Sequence, residues 1–213
     1  MRYAISLLAG LLLCTTAAWA ADAGHWGYEG AQGPEHWGAL SPEFVTCAKG
    51  HNQSPIDIRS ALKAGLPALR TQYAAGPATI INNGHTIQVD FAAGSTLALD
   101  GASFELKQVH FHAPSENRIA GRSFPFEAHF VHADPQGALA VIGVLYETGA
   151  ANTALNPIWA ELPTQAGPAQ PLKAAVNPAD LLPANMDYFR FSGSLTTPPC
   201  TEGVRWLVLQ KPL

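Results

Sequence analysis

Apolar and polar positions follow two rhythms along this chain. Ile5–Leu13 is a near-continuous apolar run, behind the single cation Arg2 and ahead of Ala18-Trp19-Ala20. A positive n-region, a short apolar core and a small-x-small site are the parts of a secretory signal, and the run is too short to span a bilayer comfortably. Residues 1–20 are predicted to be a signal peptide cleaved after Ala20, leaving one domain over 21–213. Cys14 invites a lipoprotein reading, but Leu13 before it is not the small residue such a site wants. Beyond the leader the pattern changes to short apolar stretches broken by turn residues. Thr79–Asn82 and His85–Phe91 read as strands around Asn83-Gly84, a strong hairpin signal. Thr96–Leu99 and Ser103–His112 follow, parted by Asp100-Gly101. Phe126–His132 and Ala138–Tyr146 flank the turn Asp134-Pro135-Gln136-Gly137, and Val204–Leu209 is a last apolar strand. Thr153–Glu161 reads as one short helix and 163–183 as loop. Residues 22–55 read as an irregular segment pinned by aromatics such as Trp26 and Trp37. The predicted fold is mainly β (α+β): a single domain around a large, mostly antiparallel twisted sheet with a few short helices.

Composition narrows this further. The 213 residues are 47% hydrophobic and 13% charged, enough for one real core. Twelve cations against sixteen anions give a net charge of −4, so neither nucleic acid nor an anionic membrane surface is expected as a partner. No stable membrane anchor is expected either. With Cys14 gone in the leader, Cys47 and Cys200 remain as an even pair in an exported chain. An oxidising compartment favours a bridge between them, two buried thiols being the alternative. Closing a loop of about 150 residues would contribute roughly 4–5 kcal/mol in the chain-entropy picture.

Candidate chemistry lies in the histidines. On a strand, residues i and i+2 share a face, so His110 and His112 point the same way, with Val109 and Phe111 on the other side. The next strand carries His129 and His132, which face oppositely. One inward histidine there would complete a three-imidazole surface, the donor set of a catalytic zinc site with an open fourth position. Spacing alone does not choose between the two. Glu127 does, because it shares a face with His129 and can take that ring's other N–H; Gln108 can do the same for His110. His110-x-His112-x-x-x-Glu116 also resembles part of a cupin motif. However, Phe104 stands where that motif wants glycine, and its second half is missing.

Six motifs in order extend the picture: His25-Trp26-Gly27-Tyr28, Gly33-Pro34-Glu35-His36-Trp37, Gln53-Ser54-Pro55-Ile56-Asp57-Ile58, Asn82-Asn83-Gly84-His85, the two histidine strands, and Ser194-Leu195-Thr196-Thr197-Pro198-Pro199. Together they resemble the α-class carbonic anhydrases from about residue 25 to the C-terminus. Pro114-Ser115-Glu116-Asn117 and the cysteine pair look like the bacterial branch. The resemblance implies a zinc lyase, exported to the periplasm, in which zinc-bound hydroxide attacks carbon dioxide to give bicarbonate. It implies His110, His112 and His129 as ligands, with Thr196 accepting from the hydroxide and passing its own proton to Glu116. Thr197 would line the anion position. His85 would be the proton shuttle, with Tyr28, Asn82 and Gln88 holding the water chain. Val131, Val141, Leu195, Val204 and Trp206 would form the apolar wall for carbon dioxide. One departure stands out. The chain stops at Lys211-Pro212-Leu213, where family members continue, so a C-terminal truncation is expected. With it would go the backbone group that normally supports His112, and a carbonic-anhydrase-like binding module without useful turnover becomes the alternative function.

Overall fold

A computed structural model describes residues 24–213. The predicted leader lies outside the described residues. Twelve strands form: β1 Asp57–Ile58, β2 Arg70–Gln72, β3 Ala78–Asn82, β4 Ile87–Phe91, β5 Thr96–Leu99, β6 Ala102–His112, β7 Arg118–Ile119, β8 Phe126–Ala133, β9 Leu139–Tyr146, β10 Gln170–Pro171, β11 Tyr188–Ser194 and β12 Glu202–Leu209. Ten of them make one sheet, ordered β10-β3-β4-β6-β8-β9-β12-β11, with β5 joining β2 to β6. Every pairing in this sheet is antiparallel except β9 with β12. That junction is parallel because β11 returns first as the hairpin partner of β12, and the long connection after β9 is the crossover a parallel pair needs. β1 and β7 pair separately. The predicted mainly β fold with a mostly antiparallel sheet is what forms.

The central strands β6, β8 and β9 are buried on both faces. One face carries Val109, Phe111, Ala128, Phe130, Ile142 and Val144 into the larger core. The other carries the histidines and a smaller cluster of Val141, Leu145, Val204, Trp206 and Val208, closed by Ile58 and Phe124. Within β6 the core side changes parity: Phe104 and Leu106 face the core, then Val109 and Phe111 do. A register shift between Leu106 and Gln108 explains the switch, with exposed Lys107 as the extra residue. The bulge brings His110 opposite His129 and His112 opposite Glu127.

Local chemistry corrects several predicted boundaries. The strand expected from His85 begins only at Ile87. Asn83 Oδ1 accepts from the backbone N–H groups of His85 and Thr86, and Asn82 Oδ1 from Gly84. These Asx turns consume the donors a tight hairpin would use and leave His85 in a four-residue loop. The helix expected over 153–161 is a 3-10 turn, Thr153–Leu155, followed by one short helix, Asn156–Trp159. The predicted loop over 163–183 holds β10 and a 3-10 turn. β11 was not expected, because Ser192 and Gly193 interrupt its alternation. The N-terminal segment is pinned as foreseen: Trp37 Nε1 donates to Gly27 O and Gln32 O at 2.8 and 2.9 Å. Two short helices follow, Trp37–Leu40 and Thr46–Lys49. The second carries Cys47, disulfide-bonded to Cys200 across 153 positions. Among the described residues no helix is long and apolar enough to cross a membrane.

His132 points away from His129 into the larger core, fully buried. Its Nδ1 lies 3.1 Å from Ala140 O and its Nε2 lies 2.6 Å from the Tyr73 hydroxyl. Burial, opposed only by the carbonyls of Ala140 and Phe130, pushes its pKa down to about 4. The unfolded chain takes up this proton near pH 6.5 and the fold does not, so the stabilisation is complete above 6.5 and is lost as pH falls toward 4. By pH 5 about 2 kcal/mol should be gone relative to pH 7. Urea unfolding should show His132→Asn losing less stability over that interval than the parent, by about this amount; equal losses would contradict the assignment.

Candidate metal centre

His110, His112 and His129 offer ligand atoms within 4.8 Å of one another. His110 Nε2 and His129 Nδ1 face each other at 3.3 Å, and the His112 ring lies 5.0 and 4.6 Å from theirs. The opposite nitrogens are held from behind. Gln108 Oε1 sits 2.8 Å from His110 Nδ1, and Glu127 Oε1 3.0 Å from His129 Nε2, the latter an ion-pair contact short of a well-aligned hydrogen bond. His112 Nδ1 is 3.4 Å from Glu116 Oε1, while its Nε2 is buried and without a partner. Glu116 therefore stands behind the ring whose support was expected to be missing. A buried, unpartnered imidazole nitrogen beside two others is what a closed shell of hydrogen bonds would avoid and what a metal would satisfy. Three imidazoles suit zinc and leave a fourth position for a small ligand.

Electrostatics favours the same use. Burial, then the charge on His129, pushes His110 down to about 3 and His112 down to about 2, keeping both neutral as a ligand must be. Glu127 is fully buried. Burial alone would raise its pKa, but the close contact with the His129 ring and the hydrogen bonds from Asn117 hold it below the ordinary range. Its oxygens take the backbone N–H groups of Glu116 and Asn117 at 2.8 and 2.9 Å and Asn117 Nδ2 at 2.8 Å. Against its own burial, the His129 pKa is raised by the same carboxylate and by the Glu116 charge.

The remaining predicted residues fall into three groups. Glu116, Thr196 and Tyr28 line one cavity of about 270 Å³ with Gln53, Ser54, Trp37 and Cys200. Burial raises Glu116 to about 7, with the His129 charge and a hydrogen bond from Thr196 pulling the other way. Burial and the Glu116 charge push Tyr28 up to about 12. Val131, Val141, Leu195, Val204 and Trp206 belong to one cluster on the histidine face, and the Trp206 ring lies 4.8 Å from that of His129. Thr197 is half-buried and its carbonyl accepts from Cys200 N. His85 stacks on Trp26 at 3.7 Å and 10°. Asn82 and Gln88 turn their amides elsewhere, Asn82 Nδ2 to Pro163 O and Gln88 Nε2 to Asp90 Oδ1. Sequence reasoning gave Asn117 and Trp26 no role in the site. Asn117 has no periodic signal, and its importance lies in a contact ten residues away.

Three imidazoles of this kind, backed by a carboxylate and an amide on a large sheet, form a site that could hold a metal ion. The chain belongs to the eukaryotic-type carbonic anhydrase family, whose profile matches residues 32–213. It is 50% identical over 213 residues to a carbonic anhydrase of Pectobacterium carotovorum, covering 100% of this chain and 87% of that one. The α-carbonic anhydrase of Thermovibrio ammonificans, solved with the inhibitor sulfanilamide, superposes with a TM-score of 0.87 at 50% identity, covering 89% of this chain and 85% of that one. Dioscorin, solved in complex with ascorbate, superposes with a TM-score of 0.81 at 34% identity, covering 88% and 82%.

The metal assignment separates the two histidines of β8. His129→Ala should lose stoichiometric zinc in metal analysis after dialysis, whereas His132→Ala, refolded and treated alike, should retain it. Zinc kept by the first variant and lost by the second would reverse the assignment of faces.

Proposed function

We propose that this chain hydrates carbon dioxide reversibly to bicarbonate and a proton, with zinc held by His110, His112 and His129. The observation that carries the reading is the imidazole cluster itself, with Gln108 and Glu127 fixing two of its tautomers. Zinc in this position supplies a Lewis acid and lowers the pKa of water to near 7, a magnitude that belongs to carbonic anhydrases as a class.

The chain's own groups divide the remaining work. Thr196 can accept one hydrogen bond and donate another at once, so its hydroxyl aims the attacking oxygen while its proton goes to Glu116. This requires the ionised carboxyl, which the His129 charge and the Thr196 hydroxyl favour against the burial that raises it. Thr197 lines the position of the departing anion. Carbon dioxide has no charge to grip, so Val131, Val141, Leu195, Val204 and Trp206 hold it by excluding water beside the metal. His85, in its loop against Trp26, carries the released proton outward. Burial and the charge on His25 lower its pKa. Tyr28 stays protonated on this path. The leader-like first twenty residues and the Cys47–Cys200 bridge support export to the periplasm.

One second reading is a binding module without turnover, in keeping with the ascorbate held by dioscorin in its structure. Stopped-flow carbon dioxide hydration separates the two. The zinc-loaded protein should give a rate well above buffer, lost on chelation and restored by zinc. A protein carrying one zinc per chain with no rate above buffer would leave only the binding module.

A further inference from the structure

Thr196 can act only if it is held against Glu116, and the two sit on different parts of the chain. Thr196 lies just past β11, where the strand leaves the sheet. Glu116 lies in the loop that Glu127 holds. The segment Gln53–Ile56 touches both sides. Ser54 N donates to Ser194 Oγ at 2.9 Å, and Ser194 N donates back to Ser54 Oγ at 3.2 Å. Ser194 Oγ in turn donates to Leu195 O at 2.8 Å, and Trp206 Nε1 to Ser194 O at 3.0 Å. Gln53 Nε2 donates to Cys200 O at 3.2 Å, at the far end of the same turn. Ile56 N donates to Asn117 Oδ1 at 3.2 Å, and Asn117 Nδ2 holds Glu127.

The reciprocal serine pair sits on a break in the ladder. Gly193 pairs with Val204 but Ser194 pairs with Glu202, so Gly203, at φ +92°, is skipped. A bulge of this kind re-aims the residues that follow it. Nothing larger than glycine fits at 193, where a Cβ would lie 2.1 Å from Ser54 Oγ and 2.9 Å from Trp206 Cδ1. Ser194 is fully buried, so its backbone N–H loses its protein partner if Ser54 Oγ is removed.

We infer that Ser54 is a positioning residue for the hydration reaction: through its reciprocal bonds with Ser194 it fixes the end of β11 opposite the β12 bulge and so the aim of the Thr196 hydroxyl at Glu116 and the metal. The inference rests on the function proposed above. Ser54 touches none of the three histidines, so its contribution should appear in turnover and in the order of the 195–201 turn, and not in metal affinity. A misplacement of about an ångström at a reacting group commonly costs up to a hundredfold in rate.

The test compares Ser54→Ala, Ser194→Ala and Ser192→Ala, the last an exposed serine of the same strand. The first two should lose about ten- to a hundredfold in kcat/KM per bound zinc, with zinc affinity within about twofold of the parent, and Ser192→Ala should match the parent. Hydrogen exchange read without reference to activity should show faster exchange at Leu195 N–H and Cys200 N–H, which bond Thr201 O and Thr197 O, with β8 and β9 unchanged. Parental turnover per zinc in Ser54→Ala, parental exchange at those two amides, or loss of activity only in step with zinc or global protection would each overturn the inference. Failure of both serine variants to fold would do the same, making the pair a folding element only. If the parent itself shows no hydration, the function reading fails, and the exchange data still decide whether Ser54 orders the turn.

Discussion

The site depends on a carboxylate with no access to water. Glu127 is buried on a central strand, where an unpaired charge would cost several kcal/mol. Two backbone N–H groups, the Asn117 amide and the His129 ring surround it. Each of those bonds also positions something. The backbone bonds place Glu116, the amide bond ties in Asn117 and through it Ile56, and the ring contact orients His129. Gly143, paired with His129 across the ladder, leaves room for this carboxylate, since a Cβ there would come within 3.2 Å of Glu127 Oε1.

Register does the rest. A strand's side chains alternate faces, so a slip of one residue between β6 and β8 would exchange His129 for His132 and put a metal ligand into the larger core. The bulge at Lys107 prevents this by resetting the phase of β6 between Leu106 and Gln108. The two faces then separate by chemistry, one mainly apolar with His132 bonded to Tyr73 within it, the other carrying imidazoles beside a smaller apolar wall. β12, parallel to β9, brings Trp206 beside Val141 and completes that wall.

Much of this was legible from short-range pattern. His110-x-His112 and Glu127-x-His129 announce their faces by parity alone, and the strands that carry them form within a residue or two of expectation. The phase slip in β6 is also written in the sequence, as the step from Leu106 to Val109 in the apolar alternation, and it was not read. Other features had no local signal. β11 is broken by Ser192 and Gly193, and the loop at His85 is set by side-chain bonds of Asn82 and Asn83 that compete with the hairpin. The Ser54–Ser194 pair joins positions 140 apart. Contacts across such distances are fixed by the assembled sheet and leave no periodicity to detect.

The central claim is that the two strands present their imidazoles through different nitrogens, because the opposite nitrogen of each is already engaged. Nitrogen NMR of the zinc-loaded protein with labelled histidine reads this directly. Zinc should sit on Nε2 of His110, whose Nδ1 belongs to Gln108, and on Nδ1 of His129, whose Nε2 belongs to Glu127. Zinc on the same nitrogen of both rings, or a zinc signal from His132, would contradict it.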